Sequence, residues 1–402
     1  MTGARVLLCL VFGLSSACSC DEPSSDDAPV TPVTGWQQVI PFQETPAGIP
    51  SIHAASCGLC HAAIYAEWQT ATHAVALQDL QFQFEWRRQD QLWLCINCHT
   101  PLANQLEQVV VGLRGGDYLR PVFEPNPRFD RELQQESITC ATCHVRDGAI
   151  IGPGLGGDPP HPVRTDPELL SQRTCERCHN VSATLSSTLV CNFSTGDEWD
   201  ESPAREEGRS CIDCHMPSVE RQIAAGGPVR TSHQHRWPGS GIAKFPEDVQ
   251  TVRAAYVPGY EIELSARHTS TDERPGVRIE LVITNSRSGH ALPTGDVERF
   301  ITLNVSVEDA AGASVWTHEE RIGERWEWYP AARQLSDNSL RPGERRVLEL
   351  EAPIEGAAAE TLFVEVIAHN HRMDEQNARL SGILGRYPLS VETMRERVPV
   401  SP

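Results

Sequence analysis

Five copies of one short motif, C-x-x-C-H, constrain this 402-residue chain more than any other feature. They stand at Cys57, Cys60 and His61; Cys95, Cys98 and His99; Cys140, Cys143 and His144; Cys175, Cys178 and His179; and Cys211, Cys214 and His215. This motif is the attachment signature of c-type haem. Two cysteines three residues apart share one face of a helical turn, so both thiols can form thioethers with one porphyrin. The next histidine then provides an axial ligand to the iron. The sequence therefore predicts five covalently attached haem c groups.

A zinc ribbon is the main alternative, because paired C-x-x-C sequences also bind zinc. A ribbon does not require a histidine at a fixed place after each cysteine pair, whereas every pair here has one. Disulfides within the motifs would leave the same five histidines unexplained. Fourteen cysteines are also too many for an ordinary cytosolic enzyme.

The N-terminus has the pattern of an export signal, residues 1–20, with one arginine, a short apolar run and small residues. "SSAC" and "ACSC" resemble a lipobox, so lipidation at Cys18 or Cys20 and plain secretion both remain open. Residues 21–47 are rich in proline, serine and aspartate and predict a flexible linker. Since c-type haem is attached outside the cytoplasm, we expect an exported bacterial protein, either periplasmic or a lipoprotein of the outer membrane or cell surface.

The formal net charge is −20, and the basic residues are scattered along the chain. Nucleic acid is therefore not expected as a partner, because no basic cluster would displace counterions from phosphates. Haem propionates would add further negative charge. We expect redox partner proteins that dock through basic patches. An N-terminal lipid would add membrane attachment.

Five irons need ten axial ligands, and the motifs supply only five. Methionine is scarce: Met216 adjoins His215 and cannot reach the far face of the same ring, which leaves Met373 and Met394 once the initiator is removed. Mainly bis-histidine haems, with low reduction potentials, are therefore expected.

Several other histidines are candidates for the sixth ligands. His73 follows the first motif in a pattern that predicts one continuing helix, and about 18 Å of helix separate it from His61, so it should reach a neighbouring haem. His161 lies on a Pro/Gly loop, and one of His233 and His235, just after the last motif, is expected to bind iron. His53 is not favoured.

Two other features are set aside. The "GPGLGG" sequence at residues 152–157 matches a nucleotide-binding pattern, but it contains Pro153 and opens no helix. Cys191 belongs to no motif and is expected to be a buried free thiol.

The overall fold class expected is α + β in two domains. A mainly helical and loop-rich pentahaem domain would span residues 48–245. From about residue 258 apolar and polar residues alternate, which predicts an antiparallel, immunoglobulin-like β-sandwich within a second domain, residues 246–402. Most histidines of this domain, namely His268, His318, His369 and His371, are expected to be structural. His290, in the loop "SGHALPTG", occupies a position between strands where a sandwich presents functional groups.

The chain resembles multihaem cytochromes c of the hydroxylamine oxidoreductase superfamily. "SCGLCHAAIYAEWQTATHAVA" resembles the opening of the tetrahaem electron-acceptor cytochrome, which implies that His73 is an axial ligand. "CIDCHMP" and "GHALPTG" resemble exported multihaem cytochromes with an appended β-sandwich, which implies that His290 caps a haem. The resemblance favours an electron carrier, because no motif here ends in the lysine of pentahaem nitrite reductase.

We therefore expect an exported electron-transfer protein whose haems lie close together and are mainly bis-histidine. The alternative is an oxidoreductase with one five-coordinate haem that acts on a small nitrogen or sulfur compound. No catalytic residue is assigned.

Overall fold

The fold is a mixed α/β structure with short helices, many small antiparallel sheets and one larger pair of sheets. The computed structural model describes residues 29–153, 159–269, 276–328, 330–354, 361–386 and 388–402. No helix in these ranges is long and apolar enough to cross a membrane. The expected export signal and lipidation sites lie outside the described residues, as does most of "GPGLGG".

The α-helices of the described residues are short. They are α1 (Ala54–Gly58), α2 (Ala62–Gln69), α3 (Leu80–Arg88), α4 (Trp93–His99), α5 (Arg131–Gln135), α6 (Cys140–His144), α7 (Gln172–His179), α8 (Thr195–Asp200), α9 (Pro203–Glu206), α10 (Cys211–His215), α11 (Val249–Ala255) and α12 (Glu375–Leu380). Short 3-10 turns occupy Gly35–Gln37, Thr72–Val75, Ala103–Gln105 and Pro246–Asp248.

The strands of the first two thirds of the chain form small sheets. They are β1 (Val30–Thr31), β2 (Gln108–Arg114), β3 (Pro121–Pro125), β4 (Val145–Arg146), β5 (Ala149–Ile151), β6 (Val163–Arg164), β7 (Val181–Ser186), β8 (Leu189–Phe193), β9 (Ser218–Gln222) and β10 (Val229–His233). Longer strands follow: β11 (Glu261–Thr269), β12 (Gly276–Thr284), β13 (Phe300–Glu308), β14 (Ser314–Ile322), β15 (Glu324–Glu327), β16 (Arg333–Asp337), β17 (Arg345–Pro353), β18 (Phe363–His371) and β19 (Ser390–Pro399).

Part of the expected linker is packed in the structure. β1 pairs with β2 in antiparallel register, so that Val30 lies opposite Arg114. Ile40 is 4% exposed and joins a buried cluster with Leu102, while the backbone amide of Gln43 donates to the Asn104 side chain at 2.9 Å. Apolar side chains within a polar stretch therefore attach it to the motif-bearing region.

All five motifs lie at least partly in helices, but the helix after the first motif is broken. α2 ends at Gln69, and His73 lies in the separate 3-10 turn Thr72–Val75. The expectation of one continuous helix from His61 to His73 is wrong. The side-chain hydroxyl of Thr70 donates to the Glu67 carbonyl at 2.9 Å, which terminates the helix locally and competes with its continuation.

The alternating residues of the last third of the chain form strands. Seven of these strands assemble into a three-stranded sheet, β11-β12-β17, and a four-stranded sheet, β14-β13-β18-β19, with antiparallel pairing throughout. Leu281 lies opposite Leu264 on one side and Leu348 on the other. Eighteen buried residues, most of them on strands of these two sheets, form one core, so the two sheets pack face to face.

The motif-bearing region is packed differently. Its buried apolar side chains form separate small clusters of six, four and three residues. Clusters this small cannot stabilise a region of this length by burial alone. The region needs an additional apolar component for its core.

Candidate functional site

Three of the motif histidines are held by hydrogen bonds that leave one ring nitrogen free. Nδ1 of His61 donates to the Ile223 carbonyl at 2.6 Å, that of His99 to Ala76 at 2.7 Å, and that of His144 to Ile151 at 2.9 Å. A histidine that binds a metal through Nε2 commonly donates Nδ1–H to a carbonyl, which fixes the tautomer and the ring orientation. These three side chains are therefore arranged as ligands.

The structure brings three motif histidines close to a second histidine from elsewhere in the chain. The ring centres of His179 and His73 are 6.3 Å apart. Those of His144 and His235 are 6.2 Å apart, and those of His215 and His290 are 6.0 Å apart. Two imidazoles that bind one metal ion from opposite sides, with bonds of about 2 Å, place their ring centres roughly 6 Å apart. All three spacings match this arrangement.

Burial keeps these imidazoles neutral. It lowers the pKa of His73 to about 3, and lowers the pKa values of His179, His215 and His235 to about 4. Burial also lowers the pKa of His290, against the hydrogen bond to the Ala291 carbonyl. Only the neutral imidazole has a lone pair for a metal, so the rings are ready to bind at neutral pH.

Trp237, which the sequence analysis did not select, lies between two of the pairs. Its ring centre is 4.7 Å from that of His73 and 5.2 Å from that of His235, the latter in an edge-on arrangement. Trp237 adopts a left-handed backbone conformation, with φ of 40°, just before Pro238. The "HRWPG" turn was the available signal, because a tryptophan in a tight turn close to two candidate ligands suggests packing against them.

Cysteines of different motifs lie side by side. The thiol of Cys140 lies close enough to that of Cys57 to lower the pKa of Cys57, so the first motif lies beside the third. Further such contacts link the second motif to the fourth and the fourth to the fifth, through the pairs Cys98 with Cys178 and Cys175 with Cys211. Cys143 also lies near Cys178. The five motifs therefore form one connected array.

Hydrogen bonds within the loop fix the conformation of His290, whose ring lies next to that of His215. The Asn285 side-chain amide donates to the His290 carbonyl at 2.8 Å, and Nδ1 of His290 donates to the Ala291 carbonyl at 2.8 Å. The hydroxyl of Ser288 lies 3.0 Å from the same Nδ1. Nε2 of His290 is left free. A histidine of the loop between β12 and β13 thus reaches the helix of the fifth motif.

His61 and His99 are not paired with a second histidine. Among the described residues, no other histidine ring lies about 6 Å from either, as in the three pairs. The His99 ring is instead stacked on Phe82, with ring centres 3.5 Å apart. His233 donates from Nδ1 to the Met216 carbonyl at 2.6 Å, and Nδ1 of His161 is buried without a hydrogen bond. His233 therefore lies beside the fifth motif, and neither of these two expected ligands is paired with a motif histidine.

The remaining histidines are engaged elsewhere. Both ring nitrogens of His53 contact carboxylates, Glu136 at 3.1 Å and Asp130 at 3.0 Å. His371 contacts the Thr302 hydroxyl at 2.8 Å and stacks on Phe300. The others, His268, His318 and His369, lie on β11, β14 and β18. Cys191 is a partly buried free thiol on β8.

The residues present fit covalent haem. Each motif offers two thiols and an adjacent imidazole, three motif imidazoles face a second neutral imidazole, and the surrounding apolar clusters are too small to complete a core. Haem held by these groups would supply one-electron redox chemistry.

Comparisons with known proteins agree with this assignment. Residues 56–116 match the family described as cytochrome c554 and c-prime. The fold is similar to that of a penta-heme cytochrome c552 from Thermochromatium tepidum, with a TM-score of 0.60, 17% sequence identity and coverage of 86% of this chain and 97% of that one. A Bacteroides uniformis beta-glucuronidase gives a TM-score of only 0.21, with 13% identity over 36% of this chain and 15% of that one. The search of curated proteins found no match.

The motifs, the family match and the shared fold together define a multihaem c-type cytochrome. Proteins of this class hold haem through thioethers and transfer electrons.

Proposed function

We propose that the protein is an exported pentahaem c-type cytochrome that transfers electrons through closely packed, mainly bis-histidine haems. The observation that carries this proposal is the set of three imidazole pairs, each joining a motif histidine to a distant one. In this assignment the ten motif cysteines hold five haems, and His61, His99, His144, His179 and His215 are the proximal ligands.

The three histidine pairs support a proposal for three of the sixth ligands. His235 serves the third motif, His73 the fourth and His290 the fifth. His161 and His233 are proposed for the two haems whose motif histidines face no second imidazole. The proximity of cysteines from different motifs supports electron transfer along the array, since it would bring the attachment edges of their haems together.

The cellular location, superfamily and domain arrangement that we propose rest mainly on the sequence. The protein is exported to the periplasm or carried as a lipoprotein, and it belongs with the electron carriers of the hydroxylamine oxidoreductase superfamily. The haem domain, residues 48–245, precedes an immunoglobulin-like sandwich within residues 246–402; the single core shared by two antiparallel sheets supports the latter. Redox partners dock through basic patches, and weaker association at higher ionic strength is the expected sign.

A second candidate function is favoured by one observation. His99 stacks on Phe82 and faces no second histidine ring among the described residues. A haem there with an open coordination position would allow oxidation or reduction of a small nitrogen or sulfur compound.

Electron paramagnetic resonance of the oxidised protein, together with a redox titration, tests both functions. The carrier predicts low-spin signals for all five haems and potentials mostly below zero, because bis-histidine ligation favours low potentials. A high-spin signal equal to one haem would favour the enzyme. High-spin signals from most haems, or potentials mostly well above zero, would overturn the bis-histidine assignment.

A further inference from the structure

We propose that Glu198 is a positioning residue that seats the His290 loop against the fifth motif. This inference rests on the proposed assignment of His290 as a sixth ligand. Glu198 lies on α8, outside every C-x-x-C-H motif, and its carboxylate contacts the loop that carries the ligand.

One carboxylate oxygen of Glu198 holds the loop at two points. Oε2 accepts the backbone amide of Ala291 at 3.0 Å and the hydroxyl of Thr294 at 2.7 Å. Thr195, at the start of the same helix, adds a hydroxyl contact to Thr294 at 2.8 Å. Because Ala291 directly follows His290, the first of these bonds fixes the backbone next to the proposed ligand.

The loop approaches α8 and α9 closely at Gly289, the residue before the proposed ligand. A Cβ atom added to Gly289 would lie 3.0 Å from Cβ of Ala204 and 3.1 Å from Cδ1 of Trp199. This close packing of the loop on α8 allows the Glu198 side chain to reach the backbone amide of Ala291. The bonds from Asn285 and Ser288 shape the loop internally, but Glu198 joins it to the motif-bearing region.

α8 is itself anchored to the fourth motif. Asn180, the residue after His179, exchanges two hydrogen bonds with Asp197: its amide donates to Oδ1 at 2.9 Å, and its oxygen accepts the Asp197 backbone amide at 3.1 Å. Gly196 also packs directly on Asn180. Glu198 therefore connects the ligand loop of the fifth motif to a helix fixed on the fourth.

The test compares Glu198→Ala with Glu198→Gln in the haem-loaded protein. Alanine removes both bonds, while glutamine keeps an oxygen that can accept from Ala291 and Thr294. Alanine leaves the amide of the buried Ala291 without its acceptor, so it should raise the unligated fraction at the fifth motif by roughly ten-fold or more. The readouts are the high-spin signal of the oxidised protein and the rate at which the reduced protein binds carbon monoxide. Glutamine should restore both to near the wild-type values.

Two further variants keep the test decisive. Glu201→Ala changes an exposed carboxylate at the end of the same helix and should leave both readouts unchanged. Should Glu198→Ala fail to fold, Thr294→Val removes one of the two donors and should give a smaller shift in the same direction. Wild-type spectra and carbon monoxide rates for Glu198→Ala, or equal shifts for the alanine and glutamine variants, would overturn the role of Glu198.

His290→Ala separates the two levels of the proposal. If it leaves the spectrum unchanged, the assignment of His290 as a ligand fails. If His290→Ala produces one high-spin haem and Glu198→Ala produces none, the ligand assignment stands and only the role of Glu198 fails.

Discussion

At the scale of single residues, the decisive feature is how each imidazole is held. Nδ1 of His235 donates to the His233 carbonyl at 2.9 Å, as Nδ1 of His61 does to Ile223. Backbone carbonyls therefore fix the tautomer on both sides of the proposed haems and leave Nε2 for the metal. These partners are as important as the ligands, since they set ring orientation and basicity.

His73 gives the first prediction. Its ring is buried, neutral and 6.3 Å from that of His179, so His73→Ala should convert the equivalent of one haem from low spin to high spin. Electron paramagnetic resonance of the oxidised protein measures the change. The matched control is His318→Ala, on β14, where a half-exposed histidine stacks on Trp316. Equal spectra for both variants would contradict the role of His73.

The sequence could locate the motif histidines and suggest candidates for the sixth ligands, but it could not pair the candidates with the motifs. The C-x-x-C-H spacing is local chemistry, so it shows which histidine follows each cysteine pair. That His235 faces His144, and not His215, depends on how the β9–β10 hairpin and the chain after it cross the motif helices. Phe82 and Trp237 were missed because their contacts with His99 and His73 depend on tertiary packing.

At the scale of elements, a largely buried ion pair lies at the start of α3. Asp79 caps the helix by accepting the backbone amide of Phe82 at 2.9 Å, and its buried carboxylate pairs with Lys244. Burial lowers the pKa of Lys244 to about 8, against the attraction of Asp79. Since Phe82 stacks on His99, this ion pair helps to fix the side chain beside the second motif.

Several carboxyl groups lie close together where α3 contacts the loop before β13. The Gln81 side-chain amide donates to Asp296 at 2.8 Å, and Asn377 of α12 donates to Glu298 at 2.9 Å. Burial, with the nearby carboxylates of Asp296, Glu85 and Asp374, raises the pKa of Glu298 to about 8, and Arg88 opposes this shift. The contact between these elements therefore contains a carboxyl group that stays protonated at neutral pH.

Glu298→Gln tests this contact. The pKa of Glu298 is raised from 4.5 to about 8 on folding, so between these values the folded protein binds more protons than the unfolded chain, and stability falls as pH rises. Glutamine cannot ionise. The melting temperature of the variant, relative to wild type, should therefore increase as pH rises from about 4.5 to 8 and then level off. Circular dichroism measures both melting curves across this range.

Glu396→Gln, at an exposed position on β19, is the control and should follow the wild-type pH dependence. A melting-temperature difference for Glu298→Gln that does not vary with pH would show that Glu298 ionises normally. Sequence alone could not have indicated this group, because Glu85, Glu298 and Asp374 come from three separate segments.

At the scale of the whole molecule, the two halves of the chain are stabilised in different ways. The sheets of the last third share a core of eighteen buried residues, and their alternating pattern was readable because strand periodicity is local. The motif-bearing region has only small clusters, and no hydrophobic periodicity could reveal its packing. There the proposed haems take the place of a core, and their arrangement follows from contacts between motifs far apart in sequence.

This difference predicts how the haem-free polypeptide behaves. Produced without haem attachment, the chain should keep β11 to β19 folded, because their core is independent of the motifs, while residues 48–245 should lack stable packing. Limited proteolysis with mass spectrometry should cut the haem-free protein within residues 48–245 and leave a resistant C-terminal fragment. The haem-loaded protein, treated identically, should resist cleavage in both regions. Equal resistance of the motif region with and without haem would mean that its small clusters are sufficient, and that the haems are not part of its core.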